Sequence, residues 1–210
     1  TKDAPQRSAS IVREALKNYD ALLVGCGLGQ DQNIESFIQA LFLNDPTLKT
    51  PMILDADALN ILAKKPMWWN QIGDSTVLTP HPGEMARLIN DSSTQVQTSR
   101  LNTVKEASRK WRKVVTLKGA FTIVGSPLGI TRLSPFANPA LASAGTGDVL
   151  AGAIGGLLAQ GLSPMDAASC GVYLHGAAAA ELRKELGDAG VVASDLLMKI
   201  PVAMSGIKKH

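Results

Sequence analysis

Asp148 is the carboxylate of this chain best placed by its neighbours for acid–base work. It closes the stretch Asn138-Pro-Ala-Leu-Ala-Ser-Ala-Gly-Thr-Gly-Asp148 and opens an apolar run from Val149 to Gln160. Gly145 and Gly147 free the backbone for angles that a Cβ forbids, and Gly161 ends the run as a helix terminator would. The pattern predicts a glycine loop, Gly145–Thr146–Gly147, feeding a helix N-terminus. Such a terminus presents unpaired N–H groups and the positive end of the dipole, which makes it an anion site. A carboxylate beside an anion hole repels phosphate unless it has a task, such as taking a proton from an attacking hydroxyl. A helix-capping role accounts for the same residue type at the same place. Residue types alone leave both readings open.

Five other places carry chemistry-bearing residues. Gly25-Cys-Gly-Leu-Gly29 lacks the full dinucleotide-binding spacing and an acidic residue at the usual place for a ribose, so a plain tight turn is the better reading of it taken alone. Leu54-Asp-Ala-Asp-Ala-Leu-Asn60 sets Asp55 at a strand end, aimed at a cleft, and Asp57 at a helix start, where capping is the simpler role. His81 lies between Pro80 and Pro82 with Gly83 behind it, a stiff loop of the kind that holds functional imidazoles. Lys118-Gly-Ala-Phe-Thr122 suits a loop over phosphates, or a turn between strands. His175, inside an apolar helical stretch, reads as packed or at a subunit contact rather than catalytic.

These residues need elements to hold them. Short apolar runs predict strands at Ala21–Val24, Met52–Asp55, Thr76–Leu78 and Val114–Leu117, and a hairpin from Phe121–Val124 and Ile130–Leu133 around Gly125-Ser-Pro-Leu-Gly129. Helical periodicity predicts helices over Ser8–Asn18, Asn33–Leu43 (closed by Asn44-Asp45-Pro46), Ala56–Ala63, Met85–Ile89 and Thr94–Lys110. Later come the helix after the Gly145–Asp148 loop, one from Ser163 to Leu186, and a last one from Ser194 that stops before Pro201. Strands apolar on both faces, alternating with helices, mean an α/β fold with a mostly parallel sheet covered on both faces. Ligands gather at the carboxyl ends of such strands. Gly25–Gly29, Asp55, His81 and Lys118-Gly119 all follow strand ends and should share one sheet edge with Asp148.

Composition narrows the function classes. The 210 residues suit one domain, and at 4% aromatic the core must be built from Ala, Leu, Ile and Val. A net charge of +3 is too small and dispersed for nucleic acid. Lys208-Lys209-His210 reads as a solvated tail. Cys26 and Cys170 lie far apart without metal-type spacing, which fits a reducing cytoplasm. The longest apolar stretch, Leu141 to Leu158, carries Asp148 and many glycines, so no membrane span is expected. The chain begins at Thr1 rather than Met, as the remainder of something longer would.

Together, Val24-Gly-Cys-Gly-Leu-Gly29, Leu54 to Asn60, Leu78-Thr-Pro-His-Pro-Gly-Glu84, Leu117 to Thr122 and Asn138 to Gly152 resemble the ADP- or ATP-dependent NAD(P)H-hydrate dehydratases. The resemblance runs from about residue 20 to Ile200-Pro201, with the motifs in family order. It implies a ribokinase-like fold over residues 1–210 and repair of hydrated NADH and NADPH (NADHX, NADPHX) at the expense of an adenine nucleotide. Two departures stand out. Cys26 replaces the proline of the family's Gly-Pro-Gly-Leu-Gly loop, and residues 1–20 do not resemble the family's N-terminal segment, with its first strand and glycine-bearing loop.

By the resemblance, Asp148 is the base. Gly27, His81 and Asp148 contact the hydrated dinucleotide. Lys118, Gly119, Ala120, Phe121 and Thr122 hold the nucleotide with Gly147, and the amides of Gly145, Thr146 and Gly147 hold the transferred group. Mg²⁺ accompanies the nucleotide, with no dedicated protein ligands visible. ADP is favoured over ATP as co-substrate. A homo-oligomer (a tetramer), a cytoplasmic location and an epimerase domain or partner complete what the resemblance implies. The rival readings are a vitamin or thiazole kinase of the same fold, in which Asn stands where His81 does, and a non-catalytic nucleotide-binding module.

Overall fold

The computed structural model describes residues 3–43, 48–187 and 189–207. Short strands that are buried on both faces set the architecture. β1 (Leu22–Val24), β2 (Met52–Leu54), β3 (Thr76–Leu78) and β4 (Val114–Leu117) run parallel, and β5 (Ile123–Gly125) and β6 (Thr131–Leu133) add antiparallel edges. Spatial order equals chain order across the six strands. Every parallel crossover therefore moves one strand sideways in the same direction, and its helices land on one face.

That face carries α1 (Ala4–Ala15), α2 (Gln32–Ile38), α3 (Ala56–Ala63), α4 (Pro82–Ile89), α5 (Ser93–Thr98) and α6 (Arg100–Trp111). Met52, Leu54, Leu78, Val115 and Leu117 turn toward it and pack with Leu59, Met85, Val104 and Trp111. The alternate residues, Ile53, Val77, Val114 and Val124, turn the other way, onto α7 (Thr146–Ala159) and α8 (Pro164–Leu186). The period-two alternation of a strand thus divides the core between two helical layers. α9 (Ala193–Ile207) packs on α8 through Ala178, Ala179, Leu182 and Leu196.

Several boundaries differ from the periodicity reading. α1 starts earlier, at Ala4, with Pro5 in its first turn. Residues 39–43 continue α2 as a wider π turn, and the Asn44-Asp45-Pro46 stop lies outside the described residues, as does the 208–210 tail. Thr94–Lys110 is two helices, broken at Ser99 (φ −123°, ψ 30°). The hairpin strands begin later than expected, at Ile123 and Thr131; ahead of the first of them Phe121 sits at φ +55°, outside extended geometry. α9 runs through Pro201 instead of stopping before it, since packing on α8 outweighs one lost backbone bond. Among the described residues no helix is long and apolar enough to cross a membrane.

Candidate active site

The carboxyl ends of β2, β3 and β4 and the N-terminus of α7 surround a cleft of about 630 Å³. Asp55 directly follows β2 and caps α3: its Oδ1 accepts from its neighbour's amide, Ala56 N, at 2.9 Å. Ala56 is held at φ +47° there, a conformation that L-residues seldom adopt outside constrained sites. Lys118, directly after β4, is anchored by its backbone N–H to Pro80 O at 2.8 Å. Its Nζ reaches across the end of β3 to Asp55 Oδ1 at 2.6 Å, with Glu84 Oε2 at 3.7 Å. Asp55 is 1% exposed, and among the described residues its Oδ2 has no hydrogen-bond partner.

His81 is the N-cap of α4. Its Nδ1 accepts from Gly83 N at 3.0 Å and Glu84 N at 3.4 Å, while Glu84 Oε2 accepts from His81 N at 2.7 Å. This reciprocal arrangement is a capping box built on histidine. Burial pushes the imidazole pKa below its ordinary value, and Lys118 adds to that push against the opposing Glu84 carboxylate. The ring is half exposed and lines the cleft, so capping leaves it one face for a ligand.

α7 begins with Gly145 as N-cap at φ +84°, a left-handed angle that glycine takes without strain. No side chain caps this helix, so Asp148, third in its first turn, is not spent on capping. Thr146 turns its hydroxyl away to Leu141 O and Ser143 O, both at 2.8 Å, and its own N–H leans back on Ser143 O at 3.4 Å, so of the expected anion-hole amides it is Gly147 that is left open. Gly147 has ordinary helical φ, and its N–H takes no hydrogen bond among the described residues. A Cβ on Gly147 would lie 3.4 Å from Lys118 Nζ. The free amide, the dipole end and the lysine amine therefore converge on one spot suited to phosphate. Asp148 is exposed beside it.

His175 of α8 supports this loop from below through Nε2, 2.8 Å from Thr146 O. A carbonyl only accepts, so Nε2 carries the proton. Burial pushes the ring pKa down to about 4, which keeps it neutral. It is packed, as the apolar helical context suggests, but it also lines the cleft.

The Gly25–Gly29 loop is stitched to α3. Gly29 N–H donates to Asp57 Oδ2 at 2.8 Å and Gln30 Nε2 to Oδ1 at 2.7 Å. Asp57 thus ties the loop, and Asp55 is the cap in its place. Gly25 (φ +131°) is required: a Cβ there would meet Asp55 O at 1.8 Å. The close approach brings Cys26 toward Asp55 and Asp148. Burial, both carboxylates and a hydrogen bond to Asp148 push its thiol up to about 12.

Of the residues the sequence singles out, His81, Lys118, Gly119, Ala120, Thr122, Gly145, Thr146, Gly147 and Asp148 share the cleft. Gly27 and Phe121 do not line it; Gly27 is exposed and Phe121 is half exposed. The wall formed by Ser134, Phe136 and Val172 carries no chemical signature in the sequence. A trace of it exists at Gly176, deep in α8, where a Cβ would meet Phe136 Cδ2 at 2.3 Å. A mid-helix glycine costs roughly 0.5–1 kcal/mol against alanine, so its presence marks the close approach.

Residues 2–202 match the Carb_kinase family, described as NAD(P)H-hydrate dehydratase. The chain belongs to that family. It is 40% identical over 197 residues to a bifunctional NAD(P)H-hydrate repair enzyme of Moorella thermoacetica, covering 94% of this chain and 37% of the relative. An ADP-dependent (S)-NAD(P)H-hydrate dehydratase of Neisseria meningitidis serogroup B is 40% identical over 183 residues, which cover 86% of this chain and 61% of that one. The chain thus spans less than two thirds of either relative. The ADP/ATP-dependent NAD(P)H-hydrate dehydratase of Bacillus subtilis, crystallised with ATP/Mg²⁺ and soaked with CoA, superposes with a TM-score of 0.77 at 34% identity, over 90% of this chain and 66% of that chain. A hydroxyethylthiazole kinase of Pyrococcus horikoshii shares the fold (TM-score 0.74) at 18% identity.

Proposed function

We propose that this chain forms the catalytic nucleotide-binding part of an enzyme that dehydrates hydrated NADH and NADPH, with ADP in preference to ATP as phosphoryl donor. The observation that carries the reading is Asp148, exposed and unused for capping, beside the unpaired Gly147 amide and the Lys118 amine. A base next to an anion hole suits transfer of phosphoryl to a hydroxyl.

Asp148 takes the proton of the hydrate hydroxyl as its oxygen attacks the terminal phosphorus, and the bond to the leaving nucleotide breaks. The phosphate ester on the ring then leaves as phosphate, expelled by the ring nitrogen lone pair. Loss of a proton from the adjacent carbon restores the C=C bond. The Gly147 amide and the start of α7 stabilise charge on the transferred group, in the manner of an oxyanion hole. His81 is positioned to meet the hydrated dinucleotide, and Lys118 to Thr122 to meet the donor, with the stiff capping box and the β4 anchor keeping both loops still.

The cleft holds the carboxylates Asp55, Glu84 and Asp148 against the single amine of Lys118. A magnesium–nucleotide complex fits that excess of negative charge better than bare nucleotide does. Magnesium would offset phosphate charge while held mostly by phosphate and water oxygens, with Asp148 the exposed carboxylate beside it. A homotetramer, a cytoplasmic location and an epimerase domain or partner belong to the same reading. The exposed Leu197, Met198 and Val202 along α9 are suited to a subunit contact.

The test is turnover of NADHX with ADP and with ATP, followed by NADH absorbance and phosphate release. NADH formation coupled one-to-one to AMP and phosphate supports the proposal. Nucleotide binding with no turnover, by this chain and by a longer chain extended at its N-terminus, would overturn it in favour of a binding module.

A further inference from the structure

Cys26 is the residue at which this chain departs from the family loop, and its surroundings are unusual for a thiol. A sulfur from Cys26, a carboxylate oxygen from Asp55 and one from Asp148 all lie within 4.8 Å of one another. A tetrahedral ion with metal–sulfur bonds near 2.3 Å and metal–oxygen bonds near 2.0–2.2 Å holds its ligand atoms roughly 3.5 Å apart, a separation that small side-chain rotations reach from this cluster. Asp55 supplies an independent sign. It is almost fully buried, and although Oδ1 serves Ala56 N and Lys118, Oδ2 accepts nothing. A buried carboxylate oxygen without a donor is costly unless something occupies its lone pairs. Among the described residues no N–H or O–H meets it, and a cation held jointly with Cys26 and Asp148 would.

We propose that Cys26, Asp55 and Asp148 form a binding site for a thiophilic divalent cation of the zinc type, which inhibits by occupying the base. The donor set selects the metal: one sulfur and two carboxylate oxygens suit Zn²⁺ and Co²⁺, whereas Mg²⁺ takes oxygen alone. The fourth position is open to water. Binding exchanges the thiol proton for the metal: the S–H bond breaks, the S–metal bond forms, and one H⁺ goes to solvent. No electron is transferred. With Asp148 ligated, its lone pair is no longer available to a substrate hydroxyl. A proline at position 26 would offer no such ligand.

Co²⁺ is the probe, because thiolate ligation gives a near-ultraviolet charge-transfer band and tetrahedral geometry gives strong visible bands, both independent of turnover. The titration uses the full chain carrying Cys170→Ser, which removes the exposed second thiol. The expected result is both sets of bands at one Co²⁺ per chain, displaced by Zn²⁺ but not by millimolar Mg²⁺. Cys26→Ala should lose the charge-transfer band and weaken Zn²⁺ binding by at least the roughly 10–100-fold that loss of an outer-shell partner alone causes. Cys26→Ser, which keeps the side chain's size, guards against a folding defect in the alanine variant and should also lose that band. Absence of the band in the parent, or its persistence in either variant, would overturn the proposal. Because the readout is spectral, it stands or falls separately from the dehydratase reading.

Discussion

Lys118 and Asp55 are joined across the end of a strand that belongs to neither. The Nζ–Oδ1 distance is 2.6 Å, the residues are 63 positions apart, and β3 runs between the strands that carry them. The pair straps the carboxyl edge of the sheet and aims the lysine amine at Gly147. Lys118→Met should leave the Asp55 charge buried and unpaired, at a cost of about 3–5 kcal/mol. Adding Asp55→Asn should recover most of the loss. Chemical denaturation of the single and double variants reads this out; a single-variant cost under about 1 kcal/mol, the level of a surface pair, would argue against the strap.

Asp148→Asn removes the proposed base while keeping shape and hydrogen-bonding capacity. The rate of NADHX turnover should fall by roughly 10²–10⁴ with nucleotide affinity nearly unchanged. Because the helix start is capped by Gly145 alone, the melting temperature should hardly move. Unchanged turnover in the asparagine variant would remove Asp148 from the mechanism.

Gly147→Val tests the anion hole. The first carbon added would make an ordinary contact with Lys118 Nζ at 3.4 Å, so the fold should survive. The branched side chain would fill the space before the free amide, and ADP binding by calorimetry should be abolished. Wild-type affinity in a folded valine variant would place the phosphates elsewhere.

His81 has two roles that substitutions can separate. Alanine should cost about 1 kcal/mol of stability through loss of the cap and should also raise the KM for NADHX while sparing ADP. Asparagine, a good N-cap residue, should restore the stability but not the KM. Melting curves and steady-state kinetics on the two variants give the answer. A KM restored along with stability would reduce His81 to a cap.

The buried His175 makes stability depend on pH. Its folded pKa of about 4 lies below the ordinary 6.5, so the unfolded chain binds the proton more readily. Its stabilising contribution is complete above pH 6.5 and is lost as pH falls toward 4, by about 3 kcal/mol in all. His175→Gln should flatten that part of the stability profile, measured by denaturant titration from pH 7 to 4. An unaltered slope would assign the pH dependence to other groups.

Local chemistry alone was enough to locate Asp55, His81, Lys118 and the Gly145–Asp148 turn at the ends of apolar runs. Strand ends in a parallel sheet all face one edge, so chain order alone predicted their convergence, and the structure brings them into one cleft. Which partner each side chain takes was settled only by tertiary packing. Asp55 proves to be the cap that Asp57 was expected to be, because the Gly25–Gly29 loop folds back and claims Asp57 for its own amide. His81 spends one nitrogen on its own helix. α9 runs past Pro201 because its neighbour α8 holds it. The approach of Cys26 to two carboxylates from distant segments has no local sign at all. Periodicity and turn residues act over a few positions and are written in the chain, whereas these pairings depend on backbones that meet only when two helical layers close on the sheet.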